Sequence, residues 1–230
     1  MRIVRNDPLI QRNRRIGLIT LVLSLLFLTL ATISLFLSHQ VVTPLTIGSL
    51  VLSFVLTQLS AYYGSRWGRV PRPDQLLDES LKGLPGKYVL YHYTGPVPHL
   101  LIGPAGVWVL LPYLQKGTIT YRKRRWKIQG GGFWQAYLRF FGQEALGRPD
   151  VDAEAERKAL QKFLTHHFGD QAPQPGALLV FLNPQAELQF EEEPPVPALP
   201  ARKIKDFLRK AAKDAPLEEA WVRKLQEILG

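Results

Sequence analysis

Apolar positions along the chain follow two different patterns, and the change comes near residue 64. From Ile16 to Leu37 the sequence reads IGLITLVLSLLFLTLATISLFL, an apolar run of 22 residues. As a helix it is about 33 Å long, enough for a hydrocarbon core of roughly 30 Å. A second run extends from about Val42 to Tyr62, with Thr43-Pro44 as cap and first-turn proline and Tyr62-Tyr63 at interface depth. No Asp, Glu, Lys or Arg occurs from residue 16 to 63. The pattern predicts a transmembrane helical hairpin with spans of about 16–37 and 42–62. A cleaved signal peptide is the competing reading of the first run, but no A-x-A-like site follows it and a second span arrives at once.

Beyond residue 64 the apolar stretches are short and broken by turn residues. Leu76, Leu77, Leu81 and Leu84 fall at helical spacing before a Pro85-Gly86 stop. Tyr88–Tyr93, Leu100–Ile102 and Val107–Leu111 read as strands separated by TGPVP and GPAG, an antiparallel meander that Thr118–Ile128 continues as a strand or hairpin edge. Gly130-Gly131-Gly132 ends it. An aromatic segment, Phe133–Phe141, is either a core lid or a patch for the bilayer interface or a partner. An amphipathic helix over Val151–Phe168, a buried strand over Ala177–Leu182, a proline-rich EEEPPVPALP and helices over Arg202–Lys213 and Leu217–Leu229 complete the reading. The predicted plan is a basic head (1–15), the hairpin (16–63), a juxtamembrane linker (64–75), an α/β domain (76–213) and a C-terminal helix (214–230).

Averaged over the chain, 46% hydrophobic and 21% charged residues with a mean hydropathy of -0.04 hide this division. The charges change the picture by their position. Arg2, Arg5, Arg12, Arg14 and Arg15 precede the first run and Arg66, Arg69 and Arg72 follow the second, while the short connection has none. An integral membrane protein with both termini cytoplasmic is therefore expected. The spans hold no acid or base for a proton relay or ion path, which argues against a one-chain transporter. Ser49 and Ser53 give a small-xxx-small spacing that can seat another helix. The absence of cysteine excludes disulfides, cysteine–zinc sites and thiol nucleophiles.

The stretch PHLLIGPAGVWVLLPYLQKGTI resembles the NERD (nuclease-related) domain of the restriction-endonuclease-like fold, with Gly103, Pro104, Gly106, Val107, Gly117 and Ile119 in register. GRPDVDAEAERKALQKFL and ALLVFLNPQAEL look like its following helix and core strand, so the likeness covers roughly Asp74 to Leu208. The resemblance implies an α/β fold and a site in which an aspartate, a glutamate and a lysine hold and exploit Mg²⁺. Those positions fall on Pro98, Leu111 and Tyr113, none of which supplies the missing chemistry. Glu79, on the leading helix, is the one acid that such a site could retain. The expectation is a vacated site with no catalytic residue, no metal and no cofactor.

Other residues keep alternatives open. His92 and His99, on neighbouring strands, are either hydrogen-bonded strand residues or, with Glu79, ligands of a displaced metal site. His166-His167 suits a helix C-terminus. No P-loop and no G-x-S-x-G elbow occurs. From residue 64 onward 24 basic residues face 18 acidic ones, a formal charge of +6. Arg122, Lys123, Arg124, Arg125 and Lys127 form a basic ribbon interleaved with Tyr121 and Trp126. The ribbon is a solvated edge, a contact for anionic lipid, or a nucleic-acid surface with the two aromatic residues stacking on bases. The function expected is binding or scaffolding at the cytoplasmic membrane face, with the lipid bilayer as one partner. A nuclease with displaced ligands and an accessory subunit of a larger membrane complex are the alternatives.

Overall fold

In the computed structural model, residues 1–38, 42–129 and 146–229 are described. They divide into two compact units, residues 7–72 and residues 1–6 with 73–230.

The first unit is a pair of helices, α1 (Asp7–Leu37) and α2 (Pro44–Tyr63), with a π turn over Gly64–Gly68. Both helices are long and apolar enough to cross a membrane. Helix α2 starts on a reciprocal cap. The Thr46 N–H donates to Thr43 Oγ1 at 3.2 Å, and the Thr43 N–H donates back to Thr46 Oγ1 at 3.4 Å. The seam between the helices is made of small and hydroxyl residues. Gly17, Ser24 and Ala31 recur every seven residues on α1 and are buried, as are Ser34 on α1 and Thr46, Ser49 and Ser53 on α2. Ser53 Oγ donates to the Ser24 carbonyl at 2.9 Å and Ser60 Oγ to that of Gly17 at 3.0 Å. At Gly17 an added Cβ would meet Tyr63 Cβ at 3.0 Å. Leu18, Leu25, Leu26, Phe36 and Phe54 point outward and are exposed.

Two boundaries differ from the sequence reading. The basic head is not a separate piece: Arg2–Arg5 is a strand (β1) of the α/β unit, and residues 7–15 are the first turns of α1. Charged residues near a span do not stop a helix, so the helix begins at Asp7, whose charge suits its N-terminus. At the other side the linker is short, because helix α3 (Pro73–Leu81) already starts at Pro73.

The second unit is built on a mixed sheet in the order β1-β2-β3-β4-β7-β9. Its further strands are β2 (Val89–His92), β3 (His99–Gly103), β4 (Gly106–Tyr113), β7 (Gly176–Phe181) and β9 (Ala198–Pro200). Strands β2, β3 and β4 form the expected meander, while β1 lies parallel to β2, β7 to β4 and β9 to β7. Every residue of β2 and β3 is buried, as in a sheet covered on both faces. On one face Leu90, Leu101, Leu110 and Leu178 pack on Leu77 and Leu81 of α3 and on Ile204 and Leu208 of helix α5 (Ile204–Asp214). Here α4 denotes Pro149–Phe168 and α6 denotes Glu219–Leu229. These two cover the other face, where Val89, Leu100, Val109 and Leu179 meet Leu160, Leu164 and Leu225.

Two glycines mark close approach. A Cβ at Gly103 would enter the Tyr88 ring and one at Gly176 the Trp108 ring. The meander does not continue beyond β4. Instead β5 (Gly117–Arg122), β6 (Arg125–Gln129) and β8 (Ala186–Phe190) make a second sheet in the order β6-β5-β8. Lys123 and Arg124, both at positive φ (50° and 56°), form a two-residue turn between β5 and β6, the conformation that suits a twisted hairpin. Gly130–Gly132 and the aromatic segment Phe133–Phe141 lie outside the described residues.

Candidate functional site

The α/β unit buries a charged network where the sheet meets α3. Strand register places His92 opposite His99 on one side and opposite Arg5 on the other. Alternation turns these side chains to the face covered by α3, where Asp74 and Asp78 stand one helical turn apart. Arg5 Nε lies 3.1 Å from Asp74 Oδ2, an ion pair without the alignment of a hydrogen bond, and Arg5 Nη2 donates to Asp78 Oδ2. His92 Nε2 lies 3.0 Å from Asp78 Oδ1, and His92 Nδ1 lies 2.8 Å from His99 Nδ1. Asp74 and His92 have no exposed surface and His99 only 5%.

An ionised Asp78 can only accept, so His92 donates to it from Nε2, and across the Nδ1–Nδ1 contact one ring donates and the other accepts. Tyr93 closes the cluster, its ring centroid 5.0 Å from that of His99, and Asn6 Nδ2 donates to the Tyr93 carbonyl at 3.1 Å. The network thus ties β1, and the chain leaving it at Asn6, to α3 and the β2–β3 hairpin.

The positions singled out by the family likeness do not converge. Leu111 is a core residue, 5% exposed, on the face opposite to α3. Tyr113 lies on that same face with its ring stacked on Phe181 at 5.4 Å. Burial pushes its phenol well above the ordinary 10, and the charges of Asp152, Glu156 and Asp150 add to the shift. Pro98 is half-buried in the β2–β3 connection and its carbonyl accepts the Tyr93 N–H at 2.8 Å. Glu79 is exposed on α3, away from the side that buries Leu77 and Leu81. Among the described residues no group of three or more His, Cys, Asp or Glu is arranged to hold a metal ion. Both ring nitrogens of His92 are taken by hydrogen bonds, which favours the strand-residue reading over the displaced-metal one. His167, in the last turn of α4, contacts the Phe163 carbonyl through Nδ1 at 2.9 Å.

The basic ribbon is a hairpin tip. Arg122, Lys123, Arg124, Arg125 and Lys127 are all exposed, but an acidic run follows β8 beside them. Arg122 Nε pairs with Glu191 at 3.0 Å, and the Arg124 N–H donates to Glu192 Oε1 at 2.6 Å. Tyr121 and Trp126, the candidate stacking groups, are packed against other rings. Tyr121 is buried, its ring 4.9 Å from that of Trp126, which packs in turn toward Phe190 and Phe181. Strand alternation puts both rings on the side opposite to the cations, with Tyr121 buried and Trp126 partly buried.

Comparison with models of known protein families, with curated proteins and with solved structures returns no match. The residues of the buried network were visible only in part in the sequence. DQLLDES places Asp74 and Asp78 at i, i+4, yet Arg5 is separated from them by the whole hairpin, so no local pattern links the three.

Proposed function

We propose that this chain is a membrane-anchored protein whose α/β domain binds rather than cleaves. The observation that carries the anchoring is the inside-out distribution on α1 and α2. Beyond Ile10 and Asn13 in the first turns of α1, the buried residues of the pair are glycine, serine, threonine and alanine, and leucines and phenylalanines face outward. A soluble helix pair would bury the large apolar side chains; in lipid, small residues let two backbones approach and hydroxyls bond across. The α/β unit is interrupted by this hairpin, since β1 precedes it and α3 follows it. Both ends of an inserted hairpin must then lie on one face of the membrane. The arginines flanking the hairpin, set against none in its connection, favour the cytoplasmic face.

For the domain, the order α3, β2, β3, β4, β5, β6, α4, β7 is compatible with the helix, strands, helix, strand order of the NERD-like reading, with five strands where that reading expects three or four. The binding role rests on chemistry: Pro98, Leu111 and Tyr113 supply no metal-binding carboxylate or lysine, and Glu79 stands apart from them. Five exposed cations on the β5–β6 hairpin form the electrostatic contact surface, partly balanced by Glu191 and Glu192. Anionic lipid is the first choice of partner because the anchor keeps the domain beside a membrane.

Two assays test this reading. The full-length protein is expected to stay with membranes through alkaline carbonate washing, and release into the supernatant would remove the anchor. Purified in detergent, it is expected to leave DNA and RNA intact with Mg²⁺, Mn²⁺ or Zn²⁺. Cleavage that Glu79→Gln abolishes would instead establish the nuclease alternative.

A further inference from the structure

A second feature of the α/β unit is independent of both the network and the hairpin. Between the start of β1 and α6 lies a cavity of about 410 Å³. Its size falls in the range of small-molecule sites. Arg2, Lys87 and Arg223 line it together with a single acid, Glu219. The acid is already committed, because Lys87 Nζ pairs with Glu219 Oε1 at 3.2 Å. Among the described residues, no carboxylate lies within ion-pair distance of Arg2 or Arg223. The walls beside these cations are apolar, formed by Val89, Leu217 and Val222.

The site is framed by backbone contacts. The Arg2 N–H donates to the Tyr88 carbonyl at 2.9 Å, fixing the start of β1 on β2. The Leu217 N–H donates to the Pro104 carbonyl at 3.0 Å, pinning the chain before α6 to the β3–β4 turn. Val222 and Leu225 are buried in the core, which fixes the side of α6 that carries them. Strand alternation puts Arg2 on the face of Val4, opposite to that of Arg5, so the two arginines of β1 serve different places. Beneath this corner Tyr91 Oη is buried and has no hydrogen-bond partner among the described residues. Burial pushes the Tyr91 phenol up and the charge of Arg2 draws it back, a sign that the guanidinium lies close by.

We propose that this cavity binds an amphipathic phosphate monoester, its phosphate held between Arg2 and Arg223 and its apolar part against Val89, Leu217 and Val222. Three cations and one acid leave a formal +2, which matches a phosphate dianion, and guanidinium forks fit phosphate oxygens in pairs. The apolar walls distinguish such a ligand from inorganic phosphate. The same chemistry is found in a soluble phosphomonoester and in the headgroup of a phosphatidic acid.

The test uses the full chain in nanodiscs of zwitterionic lipid, titrated by calorimetry with phenyl phosphate and, separately, inorganic phosphate. Saturable binding of phenyl phosphate, with inorganic phosphate weaker, is expected. Arg2→Gln and Arg223→Gln should each weaken it about tenfold, since each removes a charge-assisted contact, whereas Lys127→Gln on the distant hairpin should not. Both arginines are exposed, so these variants should melt as the parent does. No saturable heat with phenyl phosphate, or equal loss in all three variants, would overturn the proposal. Adding phosphatidic acid to the discs separates the sources: competition supports a lipid headgroup as the ligand, and undiminished binding supports a soluble one.

Discussion

At the scale of single residues, the costliest groups are the buried charges around Asp74. A carboxylate with no exposed surface needs a compensating charge, and Arg5 lies beside it while also serving Asp78. Arg5→Met should therefore lower stability by about 3–5 kcal/mol, as measured by chemical denaturation, and adding Asp74→Asn should recover part of the loss. A loss below about 1 kcal/mol would show that water reaches the carboxylates. Tyr113 gives a pH test. Its phenol is raised in the folded state, so its neutral form is the one that folds; stability complete below pH 10 is lost as pH rises above about 10 toward the folded value. Tyr113→Phe should flatten that alkaline loss in denaturation curves recorded from pH 9 to 11. The sequence made Tyr113 visible as an outlier against a family pattern, but not its neighbours. Its stacking on Phe181 and the nearby acids of α4 come from elements more than thirty residues away in the chain.

At the scale of elements, turns and close contacts decide what is tolerated. The β5–β6 turn places Lys123 and Arg124 at positive φ, where side chains with a Cβ are strained. Replacing the pair by Asn-Gly should raise stability by roughly 1–2 kcal/mol while leaving the strands paired. An unchanged melting temperature would mean that Glu192, which accepts the Arg124 N–H, already offsets the strain. In the core, Gly176→Ala would drive a Cβ into the Trp108 ring and should cost about 1–3 kcal/mol in the same denaturation assay. Periodicity located α3, β2, β3, β4, α4, β7 and the last two helices to within a few residues, because each carries its own apolar pattern. It did not reveal β1, whose four residues RIVR have no pattern long enough to read. Nor did it separate β5, β6 and β8 as a second sheet, since pairing between distant strands leaves no mark in a local window.

At the scale of the whole molecule, the chain crosses from the sheet into the helical hairpin at Asn6-Asp7 and returns at Arg72-Pro73. The composition already separated an uncharged stretch from a charged remainder. It could not show that the remainder reclaims the first residues as a strand, which makes the hairpin an insertion rather than an N-terminal anchor. On the proposed reading of a membrane-crossing hairpin, its two ends are bound to a single folded unit and share a side. The chain contains no cysteine, so single introduced thiols report their own location alone. The most direct measurement labels Ser38→Cys, Pro8→Cys and Arg69→Cys variants in intact cells with a membrane-impermeant maleimide. The account predicts that Ser38→Cys reacts from outside, while Pro8→Cys and Arg69→Cys react only after lysis. Labelling of Pro8→Cys and Arg69→Cys from opposite sides, or protection of all three before lysis, would contradict it.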